Sequence, residues 1–155
     1  MNKKAFKTLR DDWGVNAIRL AMYTEEYNGY CSGGSQAKLR KLVDKGVGYA
    51  TDLGMYAILD WHVLNERDPN VYKTQALSFF KEMSAAVAGY GNVLYEICNE
   101  PNGPAWSSIK SYAVDVIDVI RANDPNGIII VGTPTWSQDV DTAAADPISR
   151  TNIMY

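Results

Sequence analysis

YAILDWH at residues 56–62 and VLYEICNE at residues 93–100 are two short apolar runs that decide the fold. Between them, residues 71–88 place apolar side chains at helical spacing, and Gly89 follows as a terminator. A helix between two short apolar runs predicts a βαβ unit, in which the two strands are parallel.

The same alternation extends along the chain in both directions. Further strands are predicted at residues 15–23, 127–133 and 152–155, and further helices at residues 4–13, 38–53, 107–123 and 140–145. Strand starts fall roughly 25 to 40 residues apart, which is typical of βαβ units. We therefore expect an α/β domain over residues 1–155, with a parallel sheet covered by helices and no internal boundary.

Two architectures fit this alternation: an open doubly wound sheet and a closed barrel. The first strand–helix junction lacks G-x-G-x-x-G, and G-x-x-x-x-G-K-[ST] is absent, which disfavours a nucleotide-binding sheet. A (β/α)8 TIM barrel has eight units and about 250 residues. About five strands are predicted here, so the expectation is a partial barrel of the TIM type.

Composition excludes several kinds of partner. Apolar residues make up 46% and charged residues 21% of the chain, and the net charge is −3. The chain has no basic run of the kind that binds nucleic acids or membranes, and none of its apolar runs is as long as a membrane span. With one histidine, an imidazole-rich metal site is not expected. Cys98 lies in an apolar run, which predicts a buried free thiol.

Polar and aromatic side chains lie at or just after the ends of four predicted strands. They are Arg19 and Tyr23, then Asp60, Trp61 and His62, then Asn99 and Glu100, and finally Thr133 and Trp136. In a (β/α) barrel the carboxyl ends of the strands meet on one face, where the working residues lie. Aromatic rings and carboxylates at that edge predict a site for a polyhydroxyl ligand with proton transfer.

Glu100 ends an apolar run and precedes a proline, where a carboxylate is costly unless it is paired or solvated in a cleft. Two structural roles compete with catalysis: Glu100 could cap the next helix or pair with Arg19. Glu96 has the same strand parity as Glu100. We interpret Glu96 as a structural partner of Arg19, which is expected to be buried. The alternative partner is a carboxylate nucleophile that Arg19 keeps ionised by lowering its pKa.

The remaining candidates have structural alternatives as well. A lone histidine is more often a satisfied polar residue than a catalyst, although its position at a strand end favours hydrogen bonding to substrate. Tyr23 and Trp136 are either platforms in a cleft or partly covered loop residues. The other three tryptophans are expected in the core or in helix packing: Trp13, Trp61 and Trp106.

Four runs together resemble glycoside hydrolase family 5, and the bacterial endo-β-1,4-glucanase branch in particular. They are LRDDWGVNAIRLAMY (9–23), GMYAILDWH (54–62), NVLYEICNEPNG (92–103) and IIIVGTPTWSQDV (128–140). The resemblance covers nearly the whole chain, and Asn99-Glu100-Pro101 at a strand end is its most specific feature.

The resemblance implies a retaining endo-β-1,4-glucanase that acts on β-1,4-glucan or cello-oligosaccharides outside the cell, without metal or organic cofactor. Glu100 would be the acid/base, and Asn99 would bind the 2-hydroxyl of the sugar at the cleavage point. His62 and Arg19 would line the same subsite. Tyr23 and Trp136 would line the glycan cleft. A retaining mechanism needs two carboxyl groups about 5–5.5 Å apart.

One departure from the family pattern affects the expected activity. The family's nucleophile lies in a Thr-Glu-Trp-Gly type of run, and neither this run nor the family's His-x-Tyr pair occurs in the chain. We therefore expect a partial catalytic domain, from the second strand to the start of the sixth, that is inactive alone and self-associates through exposed sheet edges. A weakly glycan-binding fragment, and a mannanase- or xylanase-type enzyme, remain as alternatives.

Overall fold

The computed structural model describes residues 1–155 and contains six helices and five strands. In chain order they are α1 (Lys3–Trp13), β1 (Ala17–Tyr23), α2 (Gln36–Asp52), β2 (Tyr56–His62), α3 (Lys73–Val87), β3 (Val93–Glu96), α4 (Trp106–Arg121), β4 (Ile128–Ile130), α5 (Pro134–Ser137), α6 (Val140–Ala145) and β5 (Ile153–Met154). No helix is long and apolar enough to cross a membrane.

The five strands form one parallel sheet whose spatial order is the chain order. A doubly wound sheet reverses direction at a switch point, whereas a barrel adds each strand beside the one before. The observed order therefore confirms the barrel-type prediction and excludes the open doubly wound sheet.

One face of the sheet is packed under helices and contains the core. Side chains on this face are wholly buried, among them Leu59, Trp61, Tyr95, Ile97 and Ile129. The opposite face is open. Ile58, Leu94 and Ile128 are register partners across β2, β3 and β4 on this face, and Ile128 is 41% exposed. The sheet is thus covered on one side only.

Strand β3 ends at Glu96, four residues earlier than predicted. Beyond it the chain still bonds to its neighbours, because Asn99 N–H donates to Trp61 O at 3.1 Å. Glu100 then adopts a φ of +28°, a value that is strained for a residue with a side chain. The predicted end of the strand is instead a loop, in which Asn99 keeps one main-chain bond to β2 and Glu100 turns away from the sheet.

Strand β4 also ends early, and an unpredicted turn follows. Thr135, Trp136 and Ser137 have φ values of 57°, 55° and 62°, so they form a left-handed turn inside α5. Trp136 N–H donates to Pro101 O at 3.0 Å. That bond joins the loop after β4 to the loop after β3.

The expected burial of single residues is mostly confirmed. Trp61 and Trp106 are buried, as is Cys98, and both cysteines are free thiols. The prediction for Trp13 was wrong, because its side chain is 76% exposed. It ends α1, a helix that buries only Phe6 against the rest of the chain.

Candidate active site

Arg19 on β1 is the centre of a polar cluster on the open face of the sheet. Its Nε donates to Glu96 Oε2 and its Nη2 to Glu96 Oε1, each at 2.6 Å. This bidentate geometry is the strongest form of an arginine–carboxylate contact. It confirms the predicted pairing of Glu96 with Arg19. The expectation that Arg19 is buried was wrong, because its side chain is 36% exposed on the uncovered face of the sheet.

The arginine also fixes the amide that precedes Glu100. Arg19 Nη2 donates to Asn99 Oδ1 at 2.8 Å, and Asn99 Nδ2 donates to Val63 O at 2.8 Å. Asn99 is 5% exposed. Both ends of its amide are therefore bonded, so its orientation is set before any ligand arrives.

Asp60 on β2 belongs to the same cluster, although no role was predicted for it from the sequence. Its side chain is wholly buried, and Oδ2 lies 2.9 Å from Arg19 Nη2 and 2.7 Å from His62 Nδ1. Burial raises the pKa of Asp60, while the hydrogen bond from His62 and the charge of Arg19 oppose that rise. Strand alternation was the available signal, since residues 60 and 62 share a face.

His62 lies under an aromatic ring contributed by β1. Tyr23 and His62 are register partners, and their ring centroids are 4.4 Å apart. The Tyr23 side chain is 38% exposed, so the ring forms part of the surface at the carboxyl end of the sheet. Both residues therefore lie at the carboxyl end of the sheet, as the sequence predicted.

Glu100 is exposed, and its carboxylate makes neither a hydrogen bond nor an ion pair. Helix α4 begins after Ala105 and has no side-chain cap, so Glu100 does not cap it. Arg19 is occupied by Glu96, Asp60 and Asn99 instead. Both structural alternatives for Glu100 are contradicted, and the carboxylate is free to meet a ligand.

Glu100 nevertheless influences the arginine electrostatically. Burial disfavours the charged form of Arg19, but the hydrogen bonds to Glu96 and the charges of Asp60, Glu96 and Glu100 outweigh it. The pKa of Arg19 is raised as a result. Arg19 is therefore held in its charged form by three acidic neighbours.

Trp136 lies in a turn that is bonded to the loop containing Glu100. Its side chain is 51% exposed, and its backbone is bonded to Pro101, the residue after Glu100. A cavity of about 290 Å³ lies to one side, along the edge of β1, and is lined mainly by apolar residues of β1 and α2. It shares Arg19 and Tyr23 with the cluster and does not reach Glu100. No group of three or more His, Cys, Asp or Glu side chains is placed to hold a metal ion.

The sequence model of the cellulase family, glycosyl hydrolase family 5, matches residues 1–155. The chain belongs to glycosyl hydrolase family 5. Solved family 5 relatives are (β/α)8 barrels, and this chain corresponds to part of one.

Curated relatives named endoglucanases share about half of the residues of this chain. An endoglucanase of Clostridium saccharobutylicum is 56% identical over 100% of this chain and 34% of its own length. Endoglucanase A of Butyrivibrio fibrisolvens is 52% identical over 98% of this chain and 36% of its own length. The chain thus spans about a third of the length of the curated relatives that it matches.

Solved family 5 structures superpose closely on the chain. The cellulase Cel5C_n is 48% identical with a TM-score of 0.96, and the match covers 99% of this chain and 50% of that one. Endoglucanase Cel5A of Thermobifida fusca, in an E355Q form complexed with cellotetraose, is 41% identical with a TM-score of 0.93. That match covers 100% of this chain and 52% of the other.

Proposed function

We propose that residues 1–155 are part of the catalytic domain of a retaining endo-β-1,4-glucanase, with Glu100 as its acid/base. The observation that carries the proposal is the unpaired Glu100 carboxylate beside Asn99, an amide already fixed by Arg19 and Val63. The relatives named endoglucanases support a β-1,4-glucan substrate over mannan or xylan.

In this proposal Glu100 protonates the glycosidic oxygen as it leaves and then deprotonates the attacking water. Its exposure suits this role, because the carboxyl group has to reach a bond in a ligand that lies over the sheet edge. Asn99 presents its amide to the 2-hydroxyl of the sugar at the cleavage point. His62 and Arg19 line that subsite.

Tyr23 and Trp136 are proposed to line the glycan cleft on either side of Glu100. Both rings are partly exposed, at 38% and 51%, and both stand at the carboxyl edge of the sheet. Large rings with one free face offer apolar area to the C–H groups of a sugar ring. The bound glycan would then run across the strand ends from β1 to β4.

The nucleophile is proposed to come from outside residues 1–155. Asp60 and Glu96, the carboxylates bound to Arg19, are already held in ion pairs on the sheet. We therefore expect no sugar release from carboxymethylcellulose by these 155 residues alone. Release that disappears in Glu100→Gln would contradict this point, since it would require a second carboxylate within the piece or from another copy.

The acid/base assignment is tested in the full-length protein with two substrates. Loss of a general acid lowers the rate by roughly 10²–10⁴-fold on an unactivated glucan. An aryl cellobioside carries an acidic phenol that leaves as the phenolate, without being protonated. The rate of the first step of its hydrolysis should therefore fall far less in Glu100→Gln. Glu82→Gln, on an exposed helix position, is the matched control. Equal losses on both substrates would contradict the assignment.

The protein is also proposed to act outside the cell, because polymeric cellulose cannot enter one. Cell fractionation of the source organism tests this location, with an antibody against the chain. Recovery in the cytosolic fraction alone would contradict it.

A further inference from the structure

The hydrogens of Arg19 determine how Asp60 is bonded. Nη2 of Arg19 carries two hydrogens, and both are used: one is donated to Glu96 Oε1 and the other to Asn99 Oδ1. Asp60 Oδ2 lies 2.9 Å from the same nitrogen but makes no hydrogen bond with it. The arginine therefore offers Asp60 its charge and no hydrogen.

His62 is the one donor that remains for Asp60. The Asp60 side chain is wholly buried, and its Oδ1 has no partner. Its Oδ2 meets His62 Nδ1 at 2.7 Å. A buried carboxylate without any hydrogen bond would be strongly unfavourable, so the proton of this contact belongs on Nδ1 of the histidine.

A second contact at Nδ1 competes with this arrangement. Arg19 Nη1 lies 3.4 Å from His62 Nδ1, and an arginine can only donate. That bond would need a lone pair on Nδ1, which would then point at a carboxylate oxygen 2.7 Å away. The shorter, charge-assisted contact with Asp60 is favoured. The adjacent Arg19 cation stabilises the ionised form of Asp60, in opposition to burial, which raises the pKa of this carboxyl group.

We propose that Asp60 is a positioning residue that holds the proton of His62 on Nδ1 and so makes Nε2 a hydrogen-bond acceptor for a hydroxyl group of the glycan. No protein group bonds to Nε2, which is not among the buried unpaired atoms. Tyr23 packs against the ring at 4.4 Å and restricts its rotation. The identity of the ligand rests on the proposed function, whereas the proton position is a property of the unliganded chain.

The proton position can be measured directly, because the chain has one histidine. Long-range ¹H–¹⁵N correlation on the ¹⁵N-labelled chain at pH 8, where an ordinary imidazole is neutral, distinguishes a protonated from a bare ring nitrogen. His62→Gln confirms the assignment of the signals. We expect a protonated Nδ1 and a bare Nε2. A protonated Nε2 in the wild type would overturn the proposal without any variant being needed.

Variants of Asp60 separate positioning from a merely structural role. Asp60→Ala removes the acceptor and leaves Arg19 Nη1 free to donate to Nδ1, so the proton should move to Nε2, with the population ratio changing by about tenfold or more. Asp60→Asn retains an oxygen acceptor and should preserve more of the Nδ1-protonated form. Asp52→Asn, at an exposed helix end, is the control. An unchanged ratio in folded Asp60→Ala would overturn the proposal.

Titration of cellotetraose in the full-length protein tests the ligand separately. If Nε2 of His62 accepts from a glycan hydroxyl, Asp60→Ala should weaken binding about tenfold or more, because the hydroxyl then faces an N–H and its own hydrogen loses its acceptor in the site. Full affinity in Asp60→Ala, with the proton moved, would overturn the acceptor role. Absence of binding by the wild type would instead count against the proposed glucanase function, and the proton position would still report on Asp60.

Discussion

At the scale of single residues, Asn99 is a buried side chain whose amide is hydrogen-bonded at both ends. Its amide donates to Val63 O in the loop after β2 and accepts from Arg19, and its side chain is almost fully buried. Orienting the amide before binding removes an entropic cost that a mobile side chain would incur in the complex.

Replacing Asn99 with alanine should lower the free energy of unfolding by about 1–3 kcal/mol, because the buried Val63 carbonyl loses its donor. Urea unfolding monitored by tryptophan fluorescence measures the change. Asn65→Ala is the control, since the Asn65 side chain is exposed and makes no hydrogen bond. Equal stability of the two variants would mean that water takes over the bond to Val63.

Cys31 gives a prediction on pH dependence. Burial, with smaller contributions from the charges of Glu66 and Glu25, raises the pKa of Cys31 from 9.0 to about 12. Only the thiolate reacts with iodoacetamide, so alkylation at pH 8 should be about 10³-fold slower than that of free cysteine. The rate should rise tenfold per pH unit from pH 8 to pH 10. Cys98→Ser isolates the Cys31 signal, and a plateau near pH 9 would contradict the raised pKa.

At the scale of elements, the loops after β3 and β4 form one unit around Glu100. Trp136 is bonded to Pro101, and Gly132 lies against Cys98 and Pro101. A Cβ at Gly132 would lie 2.5 Å from Cys98 O and 2.7 Å from Pro101 Cδ. Glycine is therefore required there for close approach, which keeps the Trp136 turn beside the loop that contains Glu100.

Gly132→Ala should destabilise the chain by about 1–3 kcal/mol through overpacking. Gly48→Ala is a matched control, because a Cβ there meets nothing within 4 Å and the position lies inside α2. That control should stabilise the chain by about 0.4–1 kcal/mol. Thermal unfolding compares the two. Equal effects would show that the β4 loop shifts freely away from Cys98.

The helices and strand centres were predictable from the sequence because each carries its own local signal. Strand β2 was predicted with its observed bounds, and α1 is ended by Gly14 at a φ of +69°. The left-handed turn at residues 135–137 had no such signal, since Thr, Trp and Ser rarely adopt that conformation. It is maintained by a local bond from Ser137 N–H to Thr133 O and by a bond from Trp136 N–H to Pro101 O, which lies on a different loop and is brought there by the fold.

At the scale of the whole molecule, helices cover one face of the sheet and leave the other open. The open face carries an apolar row of Ile58, Leu94 and Ile128 beside the charged cluster. Its outer strands, β1 and β5, each have one unpaired edge. Both features favour association with another surface.

We therefore expect the 155-residue chain to self-associate, with a mass that rises with concentration in sedimentation equilibrium. Leu94→Lys should reduce association, because it places a charge on the open face. The position is only half-buried, so the substitution should cost little folding stability. Lys81→Leu, on the opposite side in α3, is the control for surface charge. A monomer at all concentrations in the wild type would contradict the expectation.

Local sequence was sufficient to predict the alternation of strands and helices, the family resemblance and the placement of Glu100 at the carboxyl edge of the sheet. These depend on local periodicity and on a contiguous motif, both of which can be read along the chain. Three features follow only from the tertiary structure: Asp60 is wholly buried, Nη2 of Arg19 donates to Glu96 and Asn99, and Glu100 is unpaired. These depend on which side chains from different strands meet, and that geometry exists only once the sheet has formed.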